Sequence, residues 1–323
     1  MPGLLDSLQV KGFTLKNRIV LPPLQSGRAN FEGEVTNRLI NFYVMRSAAI
    51  GLPIVEHAYV SATGKIGPKQ LSIHKDSLIE GLTGLVNSVH AVGTPIVIQI
   101  SHAGGVANKK VIGTMPVGPS AREKSRELTV DELEVLSEDF KVAAERAVEA
   151  GFDGVELHGA HGYLLNQFFS PLFNRRTDHY GGSLENRMRF PLLVAEKVCE
   201  VLKGKLLLYR LGADDLAPYG TNIKGAIAFA KCLENKGVDI IDVSGGMCGA
   251  DPKQLRRQKA YFVPQAHEIK KSVKVPVIGV GRITNAEQAD KLIEEGQVDL
   301  VAVGRALWKD SKWAEKAIAK LKK

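Results

Sequence analysis

The chain has 323 residues, a net charge of +8, 44% hydrophobic and 24% charged residues. That balance excludes a disordered or fibrous protein, and the length allows a large apolar core without disulfides or metals. Three cysteines, Cys199, Cys232 and Cys248, show no Cys-x-x-Cys spacing, which argues against an iron–sulfur cluster or a structural zinc and fits a reducing cytoplasm.

The N-terminus, Met1-Pro2-Gly3-Leu4-Leu5-Asp6, has no basic stretch followed by an apolar run, so no secretory signal is expected. No apolar stretch is long enough to span a bilayer. Leu8–Val10 and Phe13–Leu15, around Lys11-Gly12, read as a small hairpin able to cap the bottom of a barrel. Eight short apolar runs rich in β-branched residues then alternate with helical patterns. They are Ile19–Pro23, Ile54–Val60, Ile96–Ser101, Gly154–His158, Leu206–Leu211, Ile240–Ser244, Val277–Gly281 and Leu300–Gly304. Runs that are apolar throughout suit parallel strands covered by helices.

The helices between them carry end signals. Thr129 with Glu132 reads as a capping box, each satisfying a free amide at the helix start. Leu133, Leu136, Phe140, Ala143 and Ala147 share the following face, and Gly151 stops it. Thr284 with Glu287 predicts a second box, ahead of Leu292, Ile293 and a stop at Gly296. A helix from about Ile223 ends near Gly237. Cys199 and Cys232 fall in helical patterns and are expected as buried thiols. Eight β-then-α units without a second compositional region predict one domain over 1–323, a (β/α)8 TIM barrel capped by the hairpin. An open doubly wound sheet would want a glycine-rich turn after the first strand, and Ile19-Val20-Leu21-Pro22-Pro23 has none.

In such barrels chemistry gathers at the C-terminal ends of the strands. The seventh ends Gly281-Arg282 and the eighth Gly304-Arg305. Glycines that let backbone approach an anion, with arginine charge beside them, in the two loops where this fold holds phosphate, point to a phosphate site. The basic cluster from Lys253 to Lys323 fits attraction to phosphorylated cofactors or nucleic acid, or an ordinary solvated surface. Arg210 interrupts an apolar strand and needs a partner, either an anionic cofactor or an internal carboxylate such as Glu56 or Asp242. His158, His161 and Tyr163 close the fourth strand. Two imidazoles and a phenol can donate to a developing oxyanion, and the phenol can deliver a proton. A zinc reading of His-x-x-His would need a third ligand, and His102 and Glu156 lack a recognised spacing.

These residues resemble the old yellow enzyme family of FMN-dependent ene-reductases. The similarity starts at Leu15-Lys16-Asn17-Arg18-Ile19-Val20 with Pro23. It runs through Gln99-Ile100-Ser101-His102-Ala103-Gly104 and Gly151-Phe152-Asp153-Gly154-Val155-Glu156-Leu157-His158. It is most specific at His158-Gly159-Ala160-His161-Gly162-Tyr163-Leu164, then Phe168, Ser170-Pro171, Asn174, Arg176-Thr177-Asp178, Tyr180-Gly181-Gly182-Ser183 and Glu185-Asn186-Arg187.

The resemblance implies an FMN-binding barrel, with NADH or NADPH as electron donor and a small enone- or enal-type substrate. It implies that Pro23, Leu24 and Gln25 border the flavin, that Gln99 bonds its pyrimidine edge, and that Arg210 stabilises negative charge there. Ser244 and Gly245 would line the ribityl side, and Gly281, Arg282, Gly304 and Arg305 would hold the phosphate. His158 and His161 would grip the substrate carbonyl, and Tyr163 would donate the proton. Asn174 to Arg187 would form a long structural loop organised by Arg176, Asp178 and Tyr180.

Two positions depart from the family. Gln25 stands where many members carry Cys or Thr. His57 stands where a small residue is common, and either donates to the flavin's C4 carbonyl edge or is a tucked loop histidine. A cysteine-rich continuation like that of the larger dienoyl-CoA reductases is not expected. Competing readings are a flavin carrier or subunit with another acceptor, and a tRNA-dihydrouridine synthase, which the basic charge would suit. The latter would need a helical RNA-binding domain and gives His158, His161 and Tyr163 no purpose, so neither nucleic acid nor membrane is expected as a partner. Barrels of this kind are commonly homo-oligomers, though no interface is legible here.

Overall fold

The computed structural model describes residues 2–322. A hairpin of β1 (Leu8–Val10) and β2 (Phe13–Leu15) precedes the barrel. The barrel strands are β3 (Ile19–Leu21), β4 (Leu52–Tyr59), β5 (Val97–Ser101), β8 (Gly154–Gly159), β9 (Leu206–Gly212), β10 (Ile240–Ser244), β11 (Val277–Gly279) and β12 (Leu300–Ala302). Two further short strands, β6 (Val117–Gly118) and β7 (Arg126–Glu127), pair in the loop region after β5. The helices are α1 (Asn37–Ser47), α2 (Ile79–His90), α3 (Lys109–Ile112), α4 (Val130–Glu149), α5 (Leu164–Phe169) and α6 (Leu184–Val201). After them come α7 (Ile223–Asn235), α8 (Val263–Lys270), α9 (Ala286–Glu294), α10 (Arg305–Lys309) and α11 (Trp313–Leu321). The eight barrel strands are parallel and close in chain order, with β12 pairing back onto β3.

Side chains on a strand alternate between faces, so each barrel strand feeds every second residue inward. The lower inward positions, including Val20, Leu52, Ile54, Val97, Leu206, Leu208, Ile240, Ile278 and Leu300, form an apolar cluster. The hairpin residues Val10 and Leu15 are buried in that same cluster, so the hairpin closes the floor. Lys11 (φ 47°) and Gly12 (φ 83°) are both left-handed, which is the turn whose twist matches a two-residue hairpin. The alternate outward positions, such as Val55, Ile98, Val155, Leu207, Ile241 and Val301, pack under the helices.

The α4 capping box is present: Thr129 Oγ1 accepts from the Glu132 amide and Glu132 accepts from the Thr129 amide. Leu133, Phe140, Ala143 and Ala147 of that helix are fully buried, and each large side chain there stabilises the fold by about 1.5–3 kcal/mol. Gly151 follows with φ 91°. The second box is displaced by one residue. Asn285, not Thr284, caps α9 by accepting from the Gln288 amide at 2.8 Å, and Glu287 pairs with Lys320 instead. Asn caps as well as Thr, so the local signal did not separate them. Cys199 and Cys232 do lie in helices, α6 and α7, but are half-buried rather than enclosed. The predicted loop from Asn174 ends at Ser183, which caps α6, so Glu185, Asn186 and Arg187 are helical. Inside the loop Arg176 binds Asp178 and the Pro119 and Leu128 carbonyls, as an organising residue should.

Candidate active site

Above the apolar layers the inward positions turn polar. Gln99 of β5 lies opposite Glu156 of β8 and donates to its Oε1 at 2.7 Å. His158, two residues on, lies opposite Arg210 of β9, which in turn lies opposite Asp242 of β10. All five are buried. Arg210 Nε stands 3.5 Å from Asp242 Oδ2, so the internal carboxylate partner is Asp242. The pairing is incomplete: Arg210 Nε, Glu156 Oε2 and both Asp242 oxygens are enclosed without a hydrogen bond. Burial, with the neighbouring Asp242 charge, drives Glu156 well above the usual carboxylate range. Burial also raises Asp242, which Arg210 pulls back down. Such orphaned polar groups are costly unless a further partner meets them.

Next to this layer sits the aromatic cluster. After β8 the chain turns through His161 (φ 58°) and Gly162 (φ 75°), and the Gly162 amide donates to Asn166 Oδ1 at 2.8 Å. That turn brings the His161 ring to 5.2 Å and the Tyr163 ring to 4.4 Å from His158. His161 Nε2 and Ser244 Oγ are 2.7 Å apart. Burial holds His158 and His161 well below the ordinary imidazole range, reinforced by Arg210, and pushes Tyr163 up to about 12. The site therefore presents neutral donors and a protonated phenol.

His57 joins them from the far side. β4 carries a register shift between Val55 and Ala58, and a bulge re-aims the side chains it contains. The His57 ring lies 5.2 Å from Tyr163 and 5.9 Å from His158. Burial lowers it to about 4. Glu56, beside it, accepts from the Ser26 amide at 2.9 Å and is raised by burial to about 7. His102 belongs to a different set of bonds, with Thr63 Oγ1 at 3.1 Å and the Gly104 amide at 3.0 Å. Among the described residues no group of three His, Cys, Asp or Glu gathers to hold a metal ion.

A cavity of about 250 Å³ runs from Arg210 and Ser244, past Pro22, Leu24, Val280 and Ala302, to Gly281, Arg282, Gly304 and Arg305. Gly281 (φ 122°) could not carry a side chain: a Cβ would lie 2.8 Å from the Tyr261 amide nitrogen. Arg282 is also left-handed, at φ 53°. Asp251 sits at this end, 3.2 Å from Arg305 and 3.0 Å from Arg256. Cations and bare backbone at one end, apolar walls between, and an under-bonded arginine at the other suit a flat ring with a phosphorylated tail. Ser244 links the two regions, since it lines the cavity and bonds His161.

The structure thus gathers His158, His161, Tyr163, His57, Gln99, Arg210 and Ser244 in one polar region, and Gly281, Arg282, Gly304 and Arg305 in one pocket. Gly245 accepts from the His161 amide at 3.1 Å, and has no room for a Cβ against the Gly249 carbonyl. Pro22 and Leu24 line the cavity, Pro23 between them is half-buried, and Gln25 is exposed. Asp251 and Tyr261 at the phosphate end were not singled out in the sequence, where nothing distinguishes them from other loop residues.

The NADH:flavin oxidoreductase / NADH oxidase family matches residues 4–323. An NADH oxidase of Thermoanaerobacter brockii is 41% identical over 98% of this chain, which spans 50% of that longer protein. An NADPH dehydrogenase of Geobacillus sp. (strain WCH70) is 39% identical over 97% of this chain and 92% of its own length. Among solved structures, the old yellow enzyme homologue from Zymomonas mobilis superposes with a TM-score of 0.87 at 29% identity, over 99% of this chain and 93% of its own. No helix among the described residues is long and apolar enough to cross a membrane. The fold, the polar layer over a phosphate pocket and these similarities agree: the chain belongs to the NADH:flavin oxidoreductase / NADH oxidase family, that of old yellow enzyme, and is an NAD(P)H-dependent flavin oxidoreductase with FMN as its cofactor.

Proposed function

We propose that this chain, acting as one barrel domain, reduces the activated carbon–carbon double bond of α,β-unsaturated carbonyl compounds. The observation that carries the reading is the neutral His158–His161–Tyr163 cluster, joined through Ser244 to the phosphate-type cavity. Bound FMN supplies the hydride chemistry between NAD(P)H and the double bond. Gly281, Arg282, Gly304 and Arg305 would hold its phosphate, Ser244 and Gly245 its ribityl side, and Gln99 and Arg210 its pyrimidine edge, with Pro23, Leu24, Gln25 and His57 bordering the ring. The under-bonded Arg210 supports its role, because a cation short of acceptors favours added negative charge.

The remaining work belongs to the protein. His158 Nδ1 makes no hydrogen bond within the chain, and in this reading the ring offers its Nε2 proton to the substrate oxygen. With Ser244 donating across its 2.7 Å contact to His161 Nε2, the ring proton would sit on Nδ1, available to the same oxygen. Two fixed donors polarise the carbonyl and make its β carbon electron-poor, at no reorganisation cost during reaction. Tyr163, protonated across the working pH range, delivers its proton to the α carbon.

Anaerobic stopped-flow tests this directly. The yellow protein should bleach with NADH or NADPH and regain colour on mixing with cyclohexenone. Bleaching without recovery would point to another acceptor. Two further results are expected. A His158→Ala/His161→Ala variant should bind p-hydroxybenzaldehyde about tenfold or more weakly in an absorbance titration; unchanged binding would contradict the carbonyl anchor. Because burial holds both imidazoles well below their ordinary range, the dissociation constant for cyclohexenone, which does not titrate, should not follow an ordinary histidine titration. An inflection near 6.5, the usual histidine value, that persists when Glu56, itself raised to about 7, is replaced by Gln would show that they ionise like solvated groups.

A further inference from the structure

We propose that His57 is a third hydrogen-bond donor of the substrate pocket, one that favours acceptors carrying a second oxygen across the double bond, the ene-diones. This rests on the ene-reductase reading above and deepens it.

The geometry fixes which nitrogen of His57 carries the proton. Gln70 Oε1 accepts from the Ile66 amide at 2.8 Å, so the orientation of the Gln70 amide is set and its Nε2 is the donor. That Nε2 donates to the His57 carbonyl at 3.2 Å and to His57 Nδ1 at 2.9 Å. A ring nitrogen that accepts has no proton of its own, so the proton of the neutral ring is on Nε2. Ser101 Oγ, 3.4 Å from Nδ1, lies on the same accepting side. Nε2 has no acceptor among the described residues, and it is not among the polar atoms sealed from solvent without a partner. His57 is therefore a buried, oriented imidazole with one open N–H, at 6% exposure.

Its place argues for a separate acceptor. The ring contacts run from His161 to His158 at 5.2 Å, then to His57 at 5.9 Å, with Tyr163 bridging His158 and His57 at 4.4 and 5.2 Å. A carbonyl oxygen has two lone pairs, and His158 and His161 occupy both. The donor at the other end of the row needs a different oxygen; we assign it to a second substrate carbonyl, with the flavin's C4 carbonyl as the alternative that the test separates. A pocket that holds a fixed N–H discriminates against ligands that leave it unpaired. An ene-dione supplies that second oxygen; a simple enone does not.

The test compares 4-cyclopentene-1,3-dione with 2-cyclopentenone, which differ by one carbonyl, using the FMN-loaded protein. The quantity read is the ratio of their kcat/KM values, so intrinsic reactivity cancels between variants. His57→Leu should lower the dione-to-enone ratio by about tenfold or more, and His57→Gln, which restores an amide donor, should recover much of it. Gln70→Leu keeps His57 but frees Nδ1 to take the proton; it should also lower the ratio, and it serves if His57→Leu does not fold. A ratio unchanged in His57→Leu and Gln70→Leu would overturn the proposal. So would equal slowing of both acceptors with weaker FMN retention, which would make the cofactor the acceptor of this N–H. Reduction of neither compound by the unaltered protein would overturn the ene-reductase reading itself, and this assignment with it.

Discussion

Replacing Tyr163 with Phe is expected to slow single-turnover reduction of cyclohexenone by about a hundredfold or more, the usual worth of a positioned proton donor. Reduction of the protein by NADPH should keep its rate, because no proton from Tyr163 enters that half. The change removes one oxygen and keeps the ring that packs on His158 at 4.4 Å and His57 at 5.2 Å, so the cluster should hold its shape. Burial already holds the phenol near 12, so its proton is present throughout the neutral range. The two half-reactions can be followed separately by flavin absorbance. Equal slowing of both would remove the proton-donor role and make Tyr163 a packing residue.

Replacing Arg210 with Met should cost stability in a way that depends on pH. Arg210 is the cation among two buried carboxyls, 3.5 Å from Asp242 and in the field of Glu156. Removing one partner of a buried pair typically costs about 3–5 kcal/mol. The carboxyls left behind are pushed further above their unfolded values, so the folded state needs protons that the unfolded state does not hold at neutral pH. A group raised in the fold stabilises most below its unfolded pKa and loses that contribution as pH rises. The deficit of Arg210→Met against the unaltered protein should therefore grow from pH 5 to pH 8, by up to about 1.4 kcal/mol per pH unit for each extra proton. Urea unfolding at several pH values would show it. Adding Asp242→Asn should shrink the slope; a deficit independent of pH would mean that the carboxyls are not held by Arg210.

The barrel was readable because its strands announce themselves. Val97 to Ser101 and Leu206 to Leu211 are apolar runs that only a doubly covered strand tolerates, and the polar residues inside them, Gln99 and Arg210, mark where the apolar layers end and the polar layer begins. The Gly-Arg pairs at 281–282 and 304–305 were legible for the same reason, since the fold says which loops to inspect. What stayed hidden depends on pairings between distant segments. The β4 register shift that aims His57 exists only against β5. The Gln70 amide that fixes its proton arrives from a loop thirteen residues away. Asp251 reads as one acid among loop residues, and becomes informative only when Arg256 and Arg305 close on it. The missed cap at Asn285 is a smaller case, where two adjacent residues of equal capping ability left geometry to decide.

The hairpin under the barrel has a kinetic corollary. Val10 and Leu15 fill the lower end of the interior, so the vessel is open at one end only. Electron donor and electron acceptor must then both arrive from the opposite end of the barrel. If both also use the same face of the site, double-reciprocal plots at varied donor and acceptor should be parallel and each reactant in excess should obstruct the other; intersecting lines would show that both are bound together.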